Sequence, residues 1–123
     1  MKTEVRSKSA PTPVGPYSQG IDVGVVYCAG QVGADPSTGA LEQGVVAQTS
    51  RALGNIESVL KAAGLGLSNV VKTTVYMVDL SEFGKMNEEY ARHFTSPYPA
   101  RTTVQVAALP KGAMVEIEAI AAR

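Results

Sequence analysis

The chain has 123 residues, of which 45% are apolar and 18% charged, and its eleven Lys+Arg balance its eleven Asp+Glu. That is the composition of one globular domain, and a net charge of zero gives neither a basic face for nucleic acid nor an acidic tail. One Cys and one His exclude an internal disulfide, a Cys-rich zinc site and a multi-histidine metal centre.

Met1–Arg6 has no long apolar run, so it reads as neither signal peptide nor membrane span, and a cytoplasmic location is expected. Thr3–Arg6 predicts a short edge strand. Ala10–Pro16 holds three prolines, which fix φ and remove three donors, so a stiff surface loop follows. Gln19–Val23 and Val25–Ala29, turning at Gly24, predict a hairpin. Its second arm is apolar on both sides, as in a strand covered on both faces. A loop opening at Gly30 closes at Asp35-Pro36-Ser37-Thr38-Gly39.

From Leu41 to Ala63 the period changes. Val45, Thr49, Ala52, Leu53, Ile56, Val59, Leu60 and Ala63 form the stripe of an amphipathic helix, ended by Gly64 and Gly66. Val70–Val78 is a β-branched strand. Ser81 is the expected N-cap of a second helix carrying Phe83, Met86, Tyr90 and Phe94. After the stiff Ser96-Pro97-Tyr98-Pro99 loop, Arg101–Val106 and Met114–Ala121 predict two strands joined by a turn at Pro110-Lys111-Gly112. No internal repeat or linker interrupts this order, so residues 1–123 form a single domain.

Right-handed crossovers place both helices on one sheet face. About 35 helical residues cover one face of a six-stranded sheet and no more. The second face must then be buried by another copy of the chain, sheet against sheet.

Most chemical motifs are absent: there is no phosphate-binding loop, dinucleotide fingerprint, His-Glu-x-x-His or Cys-x-x-Cys. His93 reads as a half-exposed residue near a helix C-terminus, and Cys28 as an inert core thiol. Glu88 and Glu89 point about 100° apart on a helix and read as a solvated face. Two places resist such readings. Arg101 enters an otherwise uncharged strand, which is costly unless the charge is paired. Glu116 and Glu118 share one strand face, opposite Val115, Ile117 and Ala119. A guanidinium suits a small carboxylate, and a partly desolvated glutamate suits activation of a water. The same residues would equally make an ion pair at a subunit interface, and strand register decides between the two.

Several stretches together resemble the reactive-intermediate deaminase family (RidA, also called YjgF). They are Ala10-Pro11 through Gly15-Pro16-Tyr17-Ser18-Gln19-Gly20, Ala29-Gly30-Gln31-Val32, and Val71-Lys72-Thr73-Thr74-Val75-Tyr76 with Asp79-Leu80. The closing ones are Tyr98-Pro99-Ala100-Arg101, Val106-Ala107 with Leu109-Pro110, and Val115-Glu116-Ile117-Glu118-Ala119. The resemblance implies an α+β, chorismate-mutase-like fold, a mixed six-stranded sheet with two helices on one face. It also implies a homotrimer with a central barrel of sheets and with sites between subunits. The implied reaction is hydrolysis of enamines or imines such as 2-iminopropanoate and 2-iminobutanoate to 2-keto acids and ammonia, without a cofactor. Arg101 would anchor the substrate carboxylate and Glu116 would position the water. Backbone groups of Gly30 and Thr103 would meet the imine end, with Tyr17 and Asn87 lining the cleft.

Three positions depart from the family's common pattern: Thr103 stands for a Cys, Ala29 for a Ser and Gln105 for a Glu. They bear on substrate preference. Two alternatives accompany the enzymatic reading. One is a non-catalytic trimeric binding or sensing protein for small 2-keto acids. The other is RNA cleavage or translation inhibition, which balanced charge, few aromatics and the lack of a His pair disfavour.

Overall fold

The apolar alternation and the two helical stripes assemble into one sheet with one helical layer. The computed structural model describes residues 1–123. Its strands are β1 (Thr3–Val5), β2 (Gly20–Asp22), β3 (Val25–Val32), β4 (Val70–Met77), β5 (Ala100–Gln105) and β6 (Val115–Ala122). The helices are α1 (Gly44–Ala62), between β3 and β4, and α2 (Phe83–Ala91), between β4 and β5. The sheet order is β1-β2-β3-β6-β4-β5. β4 and β5 run parallel and every other neighbouring pair antiparallel, so the sheet is mixed. The last strand therefore lies between β3 and β4, and β5 forms one edge.

Alternation sorts the side chains. Val26 and Cys28 of β3, Val75 and Met77 of β4, and Val115, Ile117, Ala119 and Ala121 of β6 are buried beneath the helices. Above them α1 contributes Val45, Ala52, Leu53, Ile56, Val59 and Leu60, and α2 contributes Met86 and Tyr90. Each fully buried Leu, Ile, Val or Met stabilises the fold by about 1.5–3 kcal/mol. The other face carries Tyr27, Lys72, Thr74, Tyr76, Glu116, Glu118 and Ile120, all at least partly accessible. Within one chain β3 is thus covered on one face only, with Tyr27 51% exposed. The open face is also more polar than the apolar runs suggest.

Element ends differ from expectation where long-range pairing intervenes. β3 runs on to Val32 because it pairs with β6 through a register shift between Cys28 and Gln31. α1 starts at Gly44 rather than Leu41, which instead bridges Ala34. Ser81 is not the cap: the Asp79 carboxylate accepts from the Ser81 N–H at 2.9 Å, and α2 follows a 3₁₀ turn. α1 ends as expected, with Gly64 at φ +76°, and Gly64 N and Leu65 N donate to the Lys61 and Leu60 carbonyls. No helix is long and apolar enough to cross a membrane.

Candidate active site

Glu116 stands on the open face, opposite Tyr76 of β4 and Val32 of β3. Its carboxylate lies over Gly30. A Cβ at that glycine would sit 3.0 Å from Glu116 Cδ and overlap Oε2. The absence of a side chain at position 30 is therefore what admits the carboxylate. Around it opens a cleft of about 390 Å3, lined among others by Pro11, Val14, Tyr17, Gly30, Lys111 and Glu116.

Buried amides hold the walls of this cleft. Gln19, 2% exposed, accepts from Ser7 N at 2.6 Å and donates to the Ser7 and Pro11 carbonyls at 3.1 and 2.8 Å. One side chain thus ties the proline-rich segment to the sheet. On α1, Asn55 donates to the Ala34 carbonyl at 2.9 Å, and Gln48 accepts from Met114 N at 2.8 Å. These bonds fix the chain just beyond Gly30 and just before Glu116. Lys111, at φ +62°, donates to the Gly39 carbonyl at 2.9 Å and joins two loops at the cleft rim. In the sequence Gln19 shows only as an amide at the start of a short strand, and Lys111 only as a cation inside a turn.

Burial pushes the Glu116 carboxyl above its ordinary range, and the neighbouring Glu118 carboxylate pushes it further. Glu118 accepts from the Tyr76 hydroxyl at 3.1 Å. A carboxylate of raised basicity, with an accessible cleft above it, is suited to take a proton from water.

Arg101 belongs to the other side of the sheet. In register it pairs with Thr73, and Thr103 with Val75, residues whose side chains face the helices. Arg101 and Glu116 therefore lie on opposite faces of one chain, so no ion pair joins Arg101 to Glu116 or Glu118 within it. The guanidinium pairs with no carboxylate of the chain. It lies instead over the Tyr90 ring at 4.7 Å and the Phe83 ring at 5.5 Å. The Thr103 hydroxyl is buried without a partner. Asn87, half-buried, falls one turn from Phe83 and one from Tyr90 on α2. It does not line the cleft of Tyr17. The six expected residues thus fall on two sides of the chain: Tyr17, Gly30 and Glu116 at the cleft of the open face, and Asn87, Arg101 and Thr103 on the side of the helices.

The remaining reactive side chains lie apart. Burial pushes the Cys28 thiol up to about 12, as an inert core thiol requires. Glu88 is solvated, but Glu89 is not: its side chain is 12% exposed and 2.8 Å from His93 Nε2. No three His, Cys, Asp or Glu side chains converge as a metal site would need.

A family model described as endoribonuclease L-PSP matches residues 7–123. The mouse 2-iminobutanoate/2-iminopropanoate deaminase is 50% identical over 119 residues, covering 95% of this chain and 88% of its own length. RidA from an Antarctic Psychrobacter superposes with a TM-score of 0.96 at 45% identity, covering 98% of this chain and 99% of that one. Escherichia coli TdcF, solved with bound serine, gives 0.94 at 40% identity, with 98% of each chain covered. Homologues named as imine deaminases support a hydrolase activity of that kind. On this match of sequence and fold, over almost the whole of its length, the chain belongs to the RidA/YjgF family of reactive-intermediate deaminases.

Proposed function

We propose that the chain hydrolyses 2-iminopropanoate and 2-iminobutanoate to the 2-keto acids and ammonia, in clefts completed between copies of itself. The observation that carries this reading is the placement of Arg101 and Glu116 on opposite faces of one sheet. In a 2-imino acid the carboxylate and the imine carbon are directly bonded, so anchor and base must work within one small volume. A single chain separates them by the thickness of its sheet. Arg101 of one copy and Glu116 of the next meet that demand.

The two half-sites are complementary. One supplies an accessible carboxylate in a cleft of about 390 Å3. The other supplies an unpaired guanidinium and an unsatisfied Thr103 hydroxyl on an edge strand. Joining unlike surfaces is a head-to-tail contact, which makes a ring where the rotation between copies closes. A ring of three with the open sheet faces inward is the homotrimer that the family resemblance implies. The serine held by E. coli TdcF is a 2-amino acid of the size Arg101 would anchor.

In the reaction, Arg101 binds the carboxylate through its fork of N–H groups. Glu116 takes a proton from water as its oxygen attacks C2 and opens the C=N bond. Starting from the protonated imine, this gives the neutral carbinolamine. The Glu116 carboxyl returns its proton to nitrogen, and as the C–N bond breaks the carbinolamine hydroxyl gives its proton back to Glu116. C2 thus becomes the carbonyl of the 2-keto acid, and the departing ammonia carries that proton away as ammonium. Orientation beside one activated water suffices, because imines already hydrolyse in solution. The half-site chemistry needs no cofactor, and the expected compartment is the cytoplasm, where amino-acid dehydration generates such imines.

Subunit mixing tests the reading. Arg101→Ala and Glu116→Gln should each lack activity against imine generated in situ by an amino-acid oxidase and followed by semicarbazone trapping. Refolded together in equal amounts, they should regain about a quarter of the wild-type activity, since random neighbours unite an intact Arg with an intact Glu once in four contacts. Mixtures as dead as their components would place both residues' work within one chain and overturn the proposal. Ligand binding by Glu116→Gln without turnover in the wild type would favour the sensing role instead.

A further inference from the structure

Within its own chain Arg101 is a charge in the helix-facing layer with no carboxylate paired to it, and the side chains it packs on are aromatic. Phe83 and Tyr90 stand seven residues apart on α2, two turns along one face, and the guanidinium carbon lies 5.5 and 4.7 Å from their ring centroids. Tyr90 is itself immobilised. It is 4% exposed, its ring stacks on Phe94 at 4.7 Å, and its hydroxyl shares a 2.8 Å hydrogen bond with Thr73. Thr73 is the β4 residue in register with Arg101. A closed path therefore runs from the strand that bears Arg101, across to Thr73, up to Tyr90 and back onto the guanidinium.

We propose that Phe83 and Tyr90 are positioning residues that hold the Arg101 guanidinium by its π-faces, leaving its N–H edge free for the substrate carboxylate. The chemistry favours rings over a carboxylate. A carboxylate partner would occupy the N–H fork and compete with substrate, whereas an aromatic face satisfies the charge and leaves every donor available. Tyr90 sets the plane, because its ring is buried and packed on Phe94 and cannot follow Arg101 as that side chain moves. Phe83, at the exposed end of the pair, limits excursions toward solvent.

The inference rests on the reading of Arg101 as carboxylate anchor, and the experiment separates the two. Phe83 is partly exposed, so Phe83→Leu tests the clamp without opening the core. It should raise KM for the imine about three- to fivefold with kcat within about twofold, the signature of lost binding rather than lost chemistry. Tyr90→Leu should raise KM about tenfold or more, and Tyr90→Phe, which keeps the π-face, should recover most of that loss. KM within twofold of wild type for Phe83→Leu, or equal losses for Tyr90→Leu and Tyr90→Phe, would overturn the clamp. Those outcomes leave the anchor standing so long as Arg101→Ala is inactive. An active Arg101→Ala removes the anchor and the clamp together.

Discussion

The Glu116 carboxylate fills the space above Gly30 that any side chain at that position would take. Glycine here is required by contact rather than by backbone conformation, in contrast to Gly24 at φ +94° with nothing within 4 Å of its would-be Cβ. The two glycines therefore separate activity from stability.

Gly30→Ala should lower kcat/KM at least about tenfold, because the methyl displaces the carboxylate from its place over the cleft. Gly24→Ala should leave kcat/KM unchanged and cost about 1 kcal/mol of stability through the left-handed φ. Steady-state kinetics and thermal melts on both variants check the contrast.

The rate should fall on the acid side as Glu116 is protonated, with a midpoint above the ordinary 4.5 of a glutamate. Burial is the larger cause of that shift and the Glu118 charge the smaller. Glu118→Gln, which retains an oxygen for the Tyr76 hydroxyl, should move the acid limb to lower pH without removing it. A pH profile of kcat/KM for the two proteins reads the displacement directly.

The same shift has a consequence for stability. Between the ordinary carboxyl pKa and its raised value, the folded chain binds more protons at Glu116 than the unfolded chain does. Stability from this group is therefore greatest at low pH and falls as pH rises through that window. Above that window the penalty is fully present. Glu116→Gln should raise Tm there and flatten the slope below, while abolishing turnover. Calorimetry across pH, paired with the imine assay, makes the test.

Cys28 is 5% exposed and its thiol is pushed up to about 12. In the folded protein it should resist Ellman's reagent at pH 8 for as long as the chain stays folded, then react fully on addition of guanidinium. Rapid labelling of the native protein would contradict its placement beneath α1.

How legible all this is from sequence depends on the range of the interaction. The stripe from Val45 to Leu60 and its Gly64 stop are local and readable, as is the alternation that turns Glu116 and Glu118 away from Val115 and Ile117. Which strand neighbours which is not local. Nothing in Val115–Ala122 announces that the last strand separates β3 from β4. The shift between Cys28 and Gln31 interrupts the period of two at the point where Gly30 must be aimed. By its sequence Arg101 is a charge seeking a carboxylate, and within the chain aromatic faces meet that need instead, a substitution that residue types in one strand cannot reveal.

The opposed placement of Arg101 and Glu116 also reaches beyond geometry. On the proposed reading, competence depends on protein concentration. Dilution below the assembly's dissociation constant would silence the catalyst while each chain kept its own core, and the loss would reverse on concentration. Substitutions at the contact between copies would then register as changes in specific activity long before they registered as unfolding.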